Sequence, residues 1–263
     1  MKPPPTLTSK VAFRLRAFRK YCGLVSETSA FAIPGLRKVE CNICGWRGKK
    51  FADYDSGFGI IHRDTACPGC RSHPRHRSLH LYLQRVILSG KTLRLLHFAP
   101  EPSLTPMLRS HANVDYLSVD IDPGQAMQEE DITRLSFQDQ SFDVIICMHV
   151  LEHVEDDRKA MKEICRVLKS DGFAVLDVPI DDSRERTYED SSIRSPKDRA
   201  KAYWQGDHVR LYGRDFGKRL EEAGFSVQED QYIKSLGEDL TKLHGLQARP
   251  FFICTKEELR SDP

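Results

Sequence analysis

From Lys91 onward, short apolar runs alternate with amphipathic stretches, and this alternation limits the fold more than any other feature of the chain. The apolar runs fall at 93–98, 116–120, 142–148, 173–178, 225–228 and 251–255, with helical stretches near 103–110, 156–169 and 214–223. In the second helical stretch Met161, Ile164, Cys165 and Leu168 share one face and Gly172 follows its end. In the third, Phe216, Leu220 and Ala223 repeat the pattern ahead of Gly224. Strands alternating with helices that stop at glycine predict a doubly wound, mostly parallel α/β sheet. Residues 181–203 break the rhythm with no periodicity, six Asp/Glu and six Lys/Arg. Following a strand's carboxyl end, they are expected to form a mobile lid over a ligand crevice.

The part before this body has a different chemistry. Of eight cysteines, four form two CxxC pairs, Cys41/Cys44 and Cys67/Cys70, with 22 residues between the pairs. A CxxC turn aims two sulfurs at one ion, and two such turns complete a tetrahedral Cys₄ zinc site. Four protein ligands leave no open position, so the expected zinc is structural. His62, His73 and His76 are nearby substitute ligands. The remaining cysteines, Cys22, Cys147, Cys165 and Cys254, are scattered, which favours metal over disulfides. The expected division is a basic segment at 1–39, a zinc module at 40–73, and the α/β domain at 74–263, opened by a helix over 74–89.

Charge is uneven along the chain. Residues 1–90 hold 16 Lys/Arg against 5 Asp/Glu, while the whole chain is only +2. A basic front on an acidic body fits either an anionic partner or docking of one on the other. The stretch 10–24 reads as a basic amphipathic helix, packed on the domain or lying on a membrane surface or nucleic acid. RSHPRHR at 71–77 opens a helix with cations, against the helix dipole, and so calls for an anionic partner. No apolar run reaches the roughly 18 residues that a membrane helix needs, and no secretion-signal core is visible. A cytoplasmic protein is expected.

Asp120 closes the second strand of the body, 21 residues after Ala99. In nucleotide-type folds an acid there accepts hydrogen bonds from a ribose diol. The next segment, EEDITRLSFQDQSFDVIICMHVLEHV, then an amphipathic helix and RVLKSDGFAVLDVP, resembles class I S-adenosylmethionine-dependent methyltransferases of the type-11 kind. The resemblance covers roughly residues 92–180. It implies a seven-stranded Rossmann-like sheet and S-adenosylmethionine as cofactor. By the same resemblance Asp120 would hold the ribose hydroxyls. Asp131 would face the adenine amino group with Ile132 beside the ring, and Met148 and His149 would lie near the methionine part. Asp143 would shape its strand's entry.

One stretch departs from the family. Where the family has a glycine-rich first loop, this chain has His97-Phe98-Ala99-Pro100-Glu101. Without glycine the loop is not expected to reach positive φ. Its path would instead be set by Pro100 and Pro102, with His97 or Glu101 contacting the cofactor's ammonium near Ala99. Hydroxyl and amine acceptors must lose a proton on methylation, which His149 or His208 is suited to assist. The acceptor expected is a small molecule, sugar (glycan) or lipid-linked group. RNA gripped by the zinc module and the basic N-terminal half is the alternative, and a degenerate fold serving as a binding module is a third.

Overall fold

The structure is a computed structural model that describes residues 38–55, 61–87, 90–247 and 249–256. The basic stretch 10–24 and Cys22 therefore lie outside the described residues.

The cysteine module contains two small antiparallel ribbons. In one, β1 (Val39–Glu40) pairs with β2 (Arg47–Gly48); in the other, β3 (Ala52–Asp55) pairs with β4 (Ile61–Ala66). Helix α1 (Pro74–Ile87) leads out of it. The body then runs β5 (Leu93–Phe98), α2 (Thr105–Ser110), β6 (Val114–Asp120), β7 (Gln128–Glu129), β8 (Phe142–Met148), a 3₁₀ turn (Leu151–His153), α3 (Asp157–Val167) and β9 (Leu168–Asp177). It ends with α4 (Pro196–Tyr203), α5 (Phe216–Glu222), β10 (Ser226–Glu229), α6 (Tyr232–Ser235), α7 (Gly237–His244) and β11 (Phe252–Thr255).

The body's seven strands form one sheet in the order β10-β11-β9-β8-β5-β6-β7. Strands β9 through β7 are parallel, while β11 runs antiparallel to both β9 and β10. This is the Rossmann-like methyltransferase sheet. The strand order reverses between β5 and β8, so the ligand crevice falls at their carboxyl ends.

Central strands are buried on both faces, which explains their continuous apolar runs. Leu95, Ile146 and Val175 face one core cluster with Leu79, Leu83 and Ile87 of α1. Their neighbours Leu96, Ile145 and Leu176 face the other, with Met161 and Ile164 of α3 and Phe216 of α5. Among the described residues no helix is long and apolar enough to cross a membrane.

Segment 181–203, where a lid is expected, carries a helix and contacts to the body. It contains α4, capped by Ser195, whose hydroxyl accepts from the Asp198 N–H at 3.1 Å. Tyr188 exchanges backbone hydrogen bonds with Leu211 at 2.8 and 2.9 Å, and Thr187 N–H donates to Asp215. Tyr203 is buried and its hydroxyl accepts from Asp190 N–H at 2.9 Å. Glu189 bridges Arg210 and Arg219 of the body, whereas Asp181 pairs with Arg184 inside the segment.

The module docks on the body through contacts that include His244 Nδ1 to the Glu40 carbonyl at 2.9 Å and, at their centre, one buried arginine. Arg77 donates to the carbonyls of Ser72 (2.6 Å), Thr65 (3.1 Å), His244 (2.6 Å) and Gly245 (2.8 Å), and lies 4.0 Å over the Phe51 ring. The anionic partner expected for 71–77 is, for Arg77, a set of carbonyl oxygens from both parts of the chain. Gly245 closes this contact at φ +53°, where a Cβ would fall 2.6 Å from the Phe51 ring.

Candidate active site

The two cysteine turns share one backbone plan. Gly45 N–H donates to the Cys41 carbonyl, and Arg71 N–H to that of Cys67. Cys41 N–H reaches the Trp46 carbonyl, and Cys67 N–H that of Ser72. Gly45 and Arg71 both take positive φ, 73° and 60°, so Arg71 occupies the second turn's glycine position. The four sulfurs converge, with Cys41 Sγ 3.6 Å from Cys70 Sγ and Cys44 Sγ 3.6 Å from Cys67 Sγ. Tetrahedral Zn–S bonds of about 2.3 Å require sulfurs about 3.8 Å apart, so the cluster could hold such an ion. The suggested substitute ligands lie elsewhere. His73 packs edge-on to Tyr54 and His76, and His62 stacks on Tyr54.

At the carboxyl end of β5, Ala99 adopts φ 46°. The loop therefore makes a left-handed corner without glycine, contrary to expectation, at a cost of about 1–2 kcal/mol. Its support is visible. Ala99 N–H donates to the Val119 carbonyl at 2.9 Å, and Thr105 hydroxyl and Leu104 N–H hold the Glu101 carbonyl. His97 is fully buried beneath the loop, bonded to Tyr116 hydroxyl (3.1 Å) and Glu101 Oε2 (2.6 Å). Its ring thus meets the loop at the Glu101 carboxylate. Glu101 Oε1 lies 3.8 Å from His76 Nε2, so the start of α1 caps this loop.

Asp120, half-buried at the end of β6, accepts from the Asp122 N–H at 2.9 Å. Beside it Ile121 is 62% exposed, an apolar surface next to the acid that sequence reading passed over. Asp131 is exposed and accepts from Thr133 N–H and hydroxyl, both at 2.8 Å, which hold its carboxyl below the usual range. Ile132 and Met148 are buried in the two core clusters. Both side chains pack the interior. Asp143 accepts from Arg94 N–H and Lys169 Nζ at the far end of the strand, both at 2.8 Å.

His149 follows β8 directly and is also left-handed, at φ 54°. Strained residues at two adjacent strand ends mark a site whose surroundings hold them in place. Its N–H donates to the Asp177 carbonyl at 2.8 Å, and its ring lies 3.3 Å from Glu152 and 3.7 Å from the Asp177 carboxylate. Burial and Arg75 push the imidazole's pKa down, but the two carboxylates outweigh them and raise it. Burial alone would raise Glu152; the imidazoles of His149, His153 and His208 hold it at about 2. His208 is buried, which lowers its pKa. The structure thus brings His149 and His208 to one carboxylate, Glu152, which the sequence did not single out. Asp177, fully buried and bonded to Arg249 at 2.7 Å, was likewise missed. An acid inside LEHV or LDVP looks like any polar strand-end residue until its neighbours are known.

Residues 93–176 match the family model described as "Methyltransferase domain". The strand order is that of the Rossmann-like methyltransferase fold, and the matched segment is similar to that domain. The chain is 45% identical over 49 residues to "Uncharacterized methyltransferase YcgJ" of Bacillus subtilis, covering 19% of each chain. It is 41% identical over 64 residues to "Uncharacterized protein MJ0638" of Methanocaldococcus jannaschii, covering 24% of this chain and 28% of that one. The matched parts thus span under a third of either relative. The crystal structure of YcgJ superposes with a TM-score of 0.43 at 19% identity, over 66% of this chain and 94% of that one.

Proposed function

We propose that the chain transfers the methyl group of S-adenosylmethionine to a compact acceptor, a small molecule, sugar or lipid-linked group. The observation that carries this is the left-handed Ala99 corner at the switch point, beside Asp120 on the neighbouring strand end. A corner of this kind turns backbone toward a ligand, and its persistence without glycine supports retained binding. Asp120 accepts from the ribose hydroxyls, exposed Ile121 and the backbone at Ile132 border the base, and Asp131 faces the base's amino group. Glu101, steadied by His97, faces the ammonium, while Met148 through its backbone and His149 border the methionine part. When bound, the cofactor supplies an electrophilic sulfonium methyl, and the protein's task is alignment. His149 and His208 stand on the acceptor side. Zinc held by Cys41, Cys44, Cys67 and Cys70 fixes the module structurally. Thiols arranged for metal support a reducing compartment, the cytoplasm.

The acceptor's compactness is supported by α1, whose first turn sets His76 against Glu101 at the crevice. The RNA reading drew on the zinc module and the basic N-terminal half, whose residues 1–37 lie outside the described residues; in 71–77, His73, His76 and Arg77 are buried, Arg75 is half-buried and Arg71 is exposed. Membrane contact through 10–24 lies outside the described residues.

Asp120→Ala should weaken S-adenosylmethionine about 30-fold, from a charge-assisted hydrogen bond worth about 2 kcal/mol. Titration calorimetry reads it, and equal affinities would remove the assignment. Tritiated-methyl labelling of fractionated extract tests the acceptor; label confined to RNA would overturn the compact-acceptor reading.

A further inference from the structure

Glu152, His153 and His208 place one ligand atom each within 4.8 Å of one another. Glu152 and His208 are each 1% exposed. Glu152 Oε2 and His208 Nε2 are buried without a hydrogen-bond partner, while Glu152 Oε1 lies 3.3 Å from His149 Nδ1. A buried carboxylate and imidazole in that state are costly unless something else joins them. We propose that these three side chains bind a divalent first-row transition ion on the acceptor side of the crevice, separate from the Cys₄ cluster.

The outer contacts suit such a site. His208 Nδ1 lies 2.9 Å from the Tyr203 carbonyl. Donation there fixes the tautomer that presents Nε2 as a lone pair. His153 Nδ1 lies 3.5 Å from the Asp207 carboxylate, a contact that orients its ring. The two imidazoles meet edge-to-face with centroids 4.7 Å apart. The backbone is held from both sides. Val209 N–H donates to the Glu152 carbonyl at 2.9 Å. Arg210 clamps the 3₁₀ turn through the carbonyls of Leu151 (2.9 Å), Val154 and Glu155 (2.9 Å). Metal–ligand bonds of about 2.0–2.2 Å need ligand atoms about 3–4 Å apart. The three atoms, within 4.8 Å of one another, would have to draw together by about 1 Å on binding.

Two imidazoles and one carboxylate suit manganese, iron, cobalt or zinc better than magnesium or calcium, and leave positions open for an acceptor. Resting on the methyltransferase reading, this narrows the acceptor to one with a hydroxyl group. Such an ion lowers the hydroxyl's pKa. The O–H proton passes to water, a C–O bond forms to the methyl carbon, and the C–S bond breaks with its electron pair remaining on sulfur.

The test uses the full chain with its cysteine-bound zinc in place. Mn²⁺, which thiolate sites disfavour, is titrated and its free signal followed by electron paramagnetic resonance. The wild type should remove about one equivalent, with Glu152→Gln, His208→Ala and His153→Ala each at least about ten-fold weaker. Unchanged zinc content and circular dichroism show that the variants are folded, and half-exposed His153 gives a variant of low folding risk. The proposal is overturned if the wild type takes up neither Mn²⁺ nor a second equivalent of Co²⁺ or Zn²⁺, or if folded variants bind as tightly. S-adenosylmethionine titration of the same samples judges the methyltransferase reading separately.

Discussion

Replacing Arg77 with methionine keeps the stem and removes the guanidinium that ties the cysteine module to the body. Four carbonyls lose their donor, from Thr65 and Ser72 on one side and His244 and Gly245 on the other. Each hydrogen bond to a charged donor contributes about 1.5–3 kcal/mol, but these share one group and do not add. Stripping one partner from a buried charged set costs about 3–5 kcal/mol, and the lost Phe51 contact adds about 1 kcal/mol. A loss of about 4 kcal/mol lowers Tm by about 8–16 °C in a body of this size. The two tryptophans, Trp46 in the module and Trp204 in the body, report the parts separately. With either changed to phenylalanine, wild-type melts followed by Trp46 or Trp204 should coincide. In Arg77→Met the Trp46 transition should come first. Melts that coincide and lie within about 2 °C of wild type would refute the keystone role of Arg77.

Three further outcomes are expected. Ala99→Gly should keep S-adenosylmethionine affinity and stability within about 1 kcal/mol, because relief of the left-handed strain offsets glycine's entropy; Ala99→Val should lose at least that much by urea denaturation. Freshly purified protein should hold zinc at the cysteine cluster, released in step with titration of Cys41, Cys44, Cys67 and Cys70 by a mercurial, and Cys67→Ser should lose it by elemental analysis. His73 is held at about 3, chiefly by burial and then by Arg75 and Arg77. The folded ring stays neutral while the unfolded one gains a proton below about 6.5. Its contribution is therefore complete above that pH and shrinks as pH falls toward 3, by about 1.4 kcal/mol at pH 5.5. His73→Asn should flatten that part of the stability–pH curve in thermal melts between pH 7.5 and 5.5.

Much of the fold is legible in the chain because its signals are local. Strands 93–98 and 142–148 coincide with β5 and β8, since strands buried on both faces must be apolar along their length. Two CxxC turns announce their geometry because a turn of four residues is set by its own backbone. Helices α6 and α7 went unread; α7 has no buried residue, so it lacks an apolar stripe to recognise. The contacts of 181–203 were not legible because Glu189 pairs with Arg210 and Arg219, and Thr187 with Asp215, residues outside the segment.

By itself, then, the sequence determined the α/β alternation, the cysteine cluster and the placing of Asp120 at a strand end, all properties of short stretches. Only the tertiary structure decided that Arg77 spans 167 residues to reach His244, and that Ala99 can hold a glycine's conformation because Val119 and Thr105 brace its loop. It also decided that Glu152 meets His208, a convergence made by the strap at Val209 and Arg210. A side chain's partners across the fold depend on how the chain returns in space, which no local pattern of residues encodes.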